Sequence, residues 1–173
     1  MGTLLFLATI SIFRMGGDIS VPNAPNGASL RTMGGDIVVQ RGGGNVVAKT
    51  MGGNIEIGSL VGSAEAGTMG GDVRITVDGN GPGHDVDLWT LGGNIVLILP
   101  ANFDGKFDVT VEEGDGGERG EITSDFPLNM RQSTRYRLFG GSHIVHTATG
   151  RNGSGVNRVH IRTIGGNITI RKK

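Results

Sequence analysis

Ser142, His143 and Asp125 are the residue types of a nucleophilic triad, and His143 and His146 stand three positions apart, a spacing that metal sites use. Neither set has the context its chemistry needs. No nucleophile elbow or oxyanion motif accompanies the Ser, and on a strand residues i and i+3 face opposite sides, which separates the two imidazoles. Gly-Gly steps recur along the chain and could be taken for phosphate loops, but no Lys-Ser/Thr follows them and they occur six times. A motif repeated that often reads as architecture. The sequence therefore assigns no catalytic residue, no cofactor and no metal ligand. The candidate surface contacts are Trp89, whose indole can stack on a sugar ring, and Arg135 with Tyr136, which stand in a basic and aromatic run with Arg131 and Arg137.

The elements that position these side chains follow from composition. Among 173 residues there are 33 glycines but only one Trp, one Tyr and 6 Phe, so the chain turns often and has few large anchors. Val, Ile and Leu recur between the glycines with a period of two, which argues for strands rather than a flexible low-complexity segment. Lys plus Arg and Asp plus Glu are each 16, which gives no electrostatic reason to expect nucleic acid or an anionic membrane as partner. The absence of cysteine excludes disulfides, thiolate catalysis and sulfur-based zinc sites.

The repeat is an apolar residue, two glycines, Asp or Asn, and a β-branched residue. Its copies centre on Gly16-Gly17-Asp18, Gly34-Gly35-Asp36, Gly52-Gly53-Asn54, Gly70-Gly71-Asp72, Gly92-Gly93-Asn94 and Gly165-Gly166-Asn167, and from Met15 to Met69 they recur every 18 residues. That period is too short for helical pairs and too long for nonapeptide calcium-binding rolls. Each unit supplies two short strands and their corners, which predicts an all-β parallel β-solenoid (β-helix) with coils of about 18 residues stacked roughly 4.8 Å apart. The expected inward columns are Ile19, Ile37, Ile55, Val73 and Ile95, then Val21, Val39, Ile57, Ile75 and Leu97. On the second strand they are Ala28, Val46, Ala64 and Val86, then Leu30, Ala48, Ala66 and Leu88. The intervening Ser29, Arg31, Lys49, Glu65, Asp87 and Trp89 face solvent in this reading. Glycine at the corners is expected to supply positive φ, and the Asp/Asn column to accept backbone N–H bonds or stack. A single threonine column, Thr32, Thr50, Thr68, Thr90 and Thr163, lacks the second outward row that an ice-binding array needs.

Residues 1–14 form a hydrophobic N-terminal strand or first coil ahead of a 15–173 solenoid domain. Their apolar run is too short to span a bilayer, and it has no basic flank or cleavage site of a signal sequence. Beyond Leu91 the pattern loosens. Phe103, Phe107, Val109 and Val111 continue the coils, residues 112–120 and 150–155 read as loops, and Tyr136 to Ile144 reads as a short strand with a corner at Gly140-Gly141. Val159, Ile161 and Thr163 then return to register, and Arg171, Lys172 and Lys173 place charge on the last edge.

The repeated Thr-x-Gly-Gly-Asp/Asn-Ile step resembles that of bacterial adhesin-like domains of unknown function. The stretches most like them are Trp89-Thr-Leu-Gly-Gly-Asn-Ile running into Leu99-Pro100, Ser124-Asp125-Phe126-Pro127, and Ile161-Arg-Thr-Ile-Gly-Gly-Asn-Ile168. The resemblance implies a right-handed β-helix, extracellular or in the cell envelope, with an adhesive role and no catalytic residues. The expected function is a non-catalytic structural or adhesive module binding a surface glycan or protein, without a transmembrane span. One alternative is a head-to-tail filament assembled from copies of the chain through the solenoid ends, with Leu4, Phe6, Ile10 and Ile12 as the pairing strand. The other is a polysaccharide-active β-helix enzyme, which would need clustered carboxylates or a basic residue on one face.

Overall fold

The computed structural model describes residues 8–114, 120–136 and 142–173. Leu4 and Phe6, the 115–119 part of the expected 112–120 loop, Arg137 and the Gly140-Gly141 corner lie outside these. All regular elements among the described residues are strands: β1 (Ile10–Arg14), β2 (Ile19–Ala24), β3 (Ala28–Thr32), β4 (Ile37–Lys49), β5 (Ile55–Thr68), β6 (Val73–Val77), β7 (Val86–Thr90), β8 (Ile95–Leu99), β9 (Gly105–Glu112), β10 (Ile122–Ser124), β11 (Asn129–Tyr136), β12 (Ser142–Asn152), β13 (Asn157–Ile164) and β14 (Ile168–Lys172). They join in one curled, partly open 14-stranded sheet.

The 18-residue repeat appears as strand register. Ile19 pairs with Ile37, Ile37 with Ile55 and Ile55 with Val73, all in parallel. The long strands β4 and β5 run through both ladders: β4 pairs first with β2 and then, past its glycines, with β3. One ladder thus runs through β2, β4, β5, β6, β8, β14 and β10, and the other through β1, β3, β4, β5, β7, β13 and β9. Apolar side chains from both meet in a single core. Every expected inward residue is buried there, and Val159, Ile161, Ile168 and Ile170 extend the same columns. Burying each Val, Ile or Leu contributes roughly 1.5–3 kcal/mol, so the columns carry the fold. At one end Phe107 packs against Phe103 and Phe126, with ring centroids 6.4 and 5.1 Å apart. Ile10 and Ile12 of β1 pack half-buried against the core, paired to β3 of their own chain.

Three expectations need correction. The rungs do not stack in sequence order: β14 lies between β8 and β10, and β13 lies between β7 and β9. Arg171 and Lys172 therefore pair with Ile98 and Leu99 instead of sitting on a last edge. Nor does the parallel pairing extend through 129–150, because β9, β12 and β11 form an antiparallel run, with Thr147 opposite Thr110 and Arg131 opposite Thr147, and residues 150–152, expected in a loop, belong to β12. That excursion carries the chain past the end of the ladder, and β13 and β14 return into the gap.

The third correction concerns the corners. Positive φ is confined, within the repeated motif, to Gly17 (84°) and Gly165 (75°). Elsewhere the second glycine is required by close approach between rungs. A Cβ on Gly35, Gly53, Gly71, Gly93 or Gly166 would lie 2.1, 2.1, 2.1, 2.0 or 1.8 Å from the carbonyl oxygen of the equivalent glycine in the adjoining rung. The first glycines are uncrowded, with no atom closer than 3.8 Å to a Cβ on Gly34, Gly52, Gly70 or Gly92.

Candidate functional site

The repeated polar residues point along the stack. The Thr column is buried, and the hydroxyls of Thr32, Thr50, Thr68, Thr90 and Thr163 donate to the carbonyls of Gly17, Gly35, Gly53, Gly71 and Gly93 over 2.8–3.0 Å. Thr50, Thr68 and Thr90 also accept from the amides of Gly53, Gly71 and Gly93. These hydroxyls are consumed inside the corner, so no outward threonine array exists there. Beside them the side-chain oxygens of Asp18, Asp36, Asn54, Asp72, Asn94 and Asn167 accept, in order, the amides of Asp36, Asn54, Asp72, Asn94, Asn167 and Glu121, at 2.7–3.0 Å. An acceptor aimed at a backbone N–H serves equally as Asp or Asn, which explains the mixture. The Asp/Asn oxygens and the second-glycine carbonyls of the repeat are thus engaged by neighbouring strands.

The outward face of the second ladder is a different environment. Between β5, β7 and β13 lies an open groove of about 390 Å³ whose polar lining includes Ser63, Glu65, Asp85, Asp87, Arg158 and His160. Glu65, Asp87 and His160 are aligned by strand register. Lys49 Nζ pairs with Glu65 at 2.5 Å, His160 Nδ1 lies 3.2 Å from Asp87 Oδ1, and Asp85 Oδ1 accepts the Arg158 amide at 2.7 Å. The Arg158 guanidinium has no salt-bridge partner among the described residues.

Trp89 occupies the next outward position after Asp87. It is partly buried, contrary to the exposed position expected of it, because Gly67 is its register partner. A Cβ on Gly67 would sit 2.0, 2.2 and 2.5 Å from three indole atoms, so the ring lies down on bare backbone with one face against the sheet. Arg162 is its partner on the other side. Arg135 and Tyr136 lie on β11, whose backbone pairs them with His143 and Ser142, and β12, β9 and β13 separate that strand from β7 with Trp89.

The His and Asp side chains with triad or ligand chemistry have separate partners. His143 Nε2 is 3.8 Å from Glu112 while its buried Nδ1 has no hydrogen-bond partner among the described residues, and His146 is in register with Val111. His84 is buried, its Nδ1 3.2 Å from the Gly62 carbonyl, and Asp125 accepts the Lys172 amide. No group of three or more His, Asp or Glu able to hold a metal occurs among the described residues, and no helix there is long and apolar enough to cross a membrane.

Two carboxylates hold turns and ends. Asp104 accepts from the Ser154 hydroxyl at 2.6 Å and from the Gly155 and Val156 amides at 2.5 and 3.1 Å, and these donors, the hydroxyl foremost, lower its pKa to about 2. Asp78 binds Lys173 Nζ at 2.5 Å and the Ser59 hydroxyl, which lower its pKa from the ordinary value. Buried Asn157 joins three segments: its Oδ1 accepts the His84 amide and its Nδ2 donates to the carbonyls of Gly81 and Asp104.

The groove escaped sequence reasoning for a definite reason. The 18-residue alignment sets Glu65 beside Asp87, but nothing in it brings Arg158 and His160, 73 residues from Asp85 and Asp87, to the same place. The Gly67 and Trp89 pair was visible as a glycine in an outward column next to an aromatic. No family model, curated protein or solved structure matches the chain.

Proposed function

We propose that this chain is a right-handed parallel β-solenoid that serves as a non-catalytic structural or adhesive module of the cell surface or envelope. The observation that carries the reading is the use of the repeated polar side chains: threonine hydroxyls and Asp/Asn oxygens go to backbone groups of adjoining rungs, which stiffens a stack and leaves a broad strand face for contact. The polar groove on that face is open, with Glu65 paired to Lys49 and Asp87 beside His160, which suits binding more than bond cleavage. Surface labelling of intact cells making the chain, together with retention of the purified protein on those cells, tests the proposal. Labelling only after lysis, or no retention, would overturn it.

A filament of stacked copies is the second reading, favoured by β1 and β2 each pairing with one strand only among the described residues, which leaves open edges at one end. Rods that lengthen with concentration in negative-stain images, and shorten when residues 1–14 are removed, are its expected signature. Discrete particles of one length at every concentration would exclude it.

A further inference from the structure

We infer that Trp89 and the groove beside it form a binding site for an uncharged polysaccharide, with the indole as stacking platform and the groove as the hydroxyl-recognising subsite. The inference rests on the adhesive reading and gives it a ligand class.

The indole is positioned in an unusual way for a strand residue. Outward side chains normally stand roughly perpendicular to the sheet. Here the neighbouring outward position is glycine, the only one in the register row Phe13, Arg31, Lys49, Gly67, Trp89 and Arg162, and the ring folds over it. A half-buried ring with one face on backbone can offer only its other face to a ligand, and it loses little rotamer freedom on binding. The carbon face of a pyranose suits it: its C–H groups are apolar enough to gain from leaving water and carry the partial positive charge that the π face attracts.

One outward step along the same strands, about 6.6 Å, the platform gives way to Glu65 and Asp87, and a further step brings Ser63, Asp85 and Arg158. Carboxylates, a hydroxyl and a guanidinium in one open groove offer both acceptors and donors at the spacing of successive strand positions, which is what a hydroxyl-rich chain needs. Charge weighs against the main competitors. Glu65, Asp85 and Asp87 stand beside Lys49 and Arg158 in and at the edge of the groove, and Arg162 flanks the platform, so three carboxylates are matched by three cations and neither a polyanion nor a polycation meets a surplus of opposite charge.

Trp89 is the only tryptophan, so its emission reports the site directly. The intact chain is titrated with cellohexaose, chitohexaose and mannohexaose, with heparin and a proline-rich peptide as contrasts, and binding is measured in parallel by calorimetry. At least one of the neutral hexaoses is expected to shift the emission to the blue and to bind saturably. Trp89→Ala should weaken that binding by about tenfold or more, with Trp89→Phe recovering part of it. Asp87→Asn, which leaves the platform in place, should weaken it less.

The assignment is overturned if no neutral probe moves the emission, if Trp89→Ala binds as tightly as the parent at equal folded content, or if only heparin or the peptide binds. Should Trp89→Ala prove unfolded, an unchanged affinity in Trp89→Phe and Asp87→Asn together would overturn it equally. Cell retention that survives all three substitutions sinks the saccharide site and leaves adhesion standing. A neutral hexaose that binds a chain not retained on cells does the reverse.

Discussion

Residues 15–99 and residues 100–173 build the same ladders by different routes. In the first region each corner bonds to one 18 or 22 residues away, as when Asp18 accepts from Asp36 and Asp72 from Asn94. In the second the equivalent bonds join Asn94 to Asn167 across 73 residues and Asn167 to Glu121 across 46. The threonine contact is unchanged, since Thr163 reaches the Gly93 carbonyl at 2.9 Å just as Thr68 reaches that of Gly53 at 2.8 Å, although Gly165 takes a positive φ that Gly52, Gly70 and Gly92 do not. A rung is therefore specified by its side chains, whereas its neighbour is specified by what the intervening chain permits. Loop-closure entropy grows slowly with length, so a rung that arrives late costs little extra in stability and more in folding time.

This contrast is broken most severely by removing residues 157–173. β13 and β14 are the link between β7 and β9 and between β8 and β10, so their loss leaves β9 and β10 without a parallel partner and cuts the β9, β12, β11 run from the ladder, while β2 to β6 keep their parallel pairing to one another. Native-state hydrogen exchange should find the amides of β2 to β6 still protected and those of β9 and β12 at the rate of an unstructured chain. Equal loss in both regions would mean a single cooperative unit, with no separable N-terminal stack.

The corners come next. Gly53→Ala and Gly166→Ala each place a methyl group on a facing carbonyl and should cost about 3 kcal/mol or more, read as a fall in the urea midpoint. Gly52→Ala enters open space and should stay within about 0.5 kcal/mol of the parent. If Gly52→Ala and Gly53→Ala cost the same, backbone freedom rather than inter-rung contact explains the repeated pair. Smaller still is Thr68→Val against Thr163→Val, each removing a buried hydroxyl from a glycine carbonyl for about 1–3 kcal/mol. Matching losses would establish that the sequential and the intercalated rung use one chemistry, and a negligible loss at Thr163 alone would separate them.

These residues also mark what was legible in the sequence. The core columns were, because parity along a strand and an 18-residue offset determine both face and register, and every column residue from Ile19 to Leu97 is buried. The turn chemistry of the Asp/Asn column, accepting backbone N–H bonds, was legible from its place beside the repeated glycines. The direction of the threonine hydroxyls was not, since their partner is a carbonyl in another rung that no local pattern reveals. Rung order was hidden for a related reason: Ile168 fits against Ile95 as well as any consecutive copy does, and only the antiparallel excursion of β12 and β11 decides that it goes there. The groove depends on that order, and Arg158 and His160 were lost with it.

The smallest expected effect belongs to the turn that lets the late rung enter. Asp104 ties residues 154–156 to the end of the 100–104 segment, immediately before β13 begins. Its folded pKa of about 2 lies below the unfolded value of about 3.9, so the folded state holds the carboxylate more strongly than the unfolded chain does. The contribution is present in full above the unfolded pKa and is lost as pH falls through the folded one. Urea midpoints of the parent and Asp104→Asn should therefore converge as pH is lowered from about 5 to about 2, because the neutral amide has no such proton to gain. Curves that stay parallel across that window would show that the carboxylate's charge contributes nothing to the turn. Convergence would place an acid-sensitive tie at the entry to the rung that departs from sequence order, a feature the regular stack has no need of.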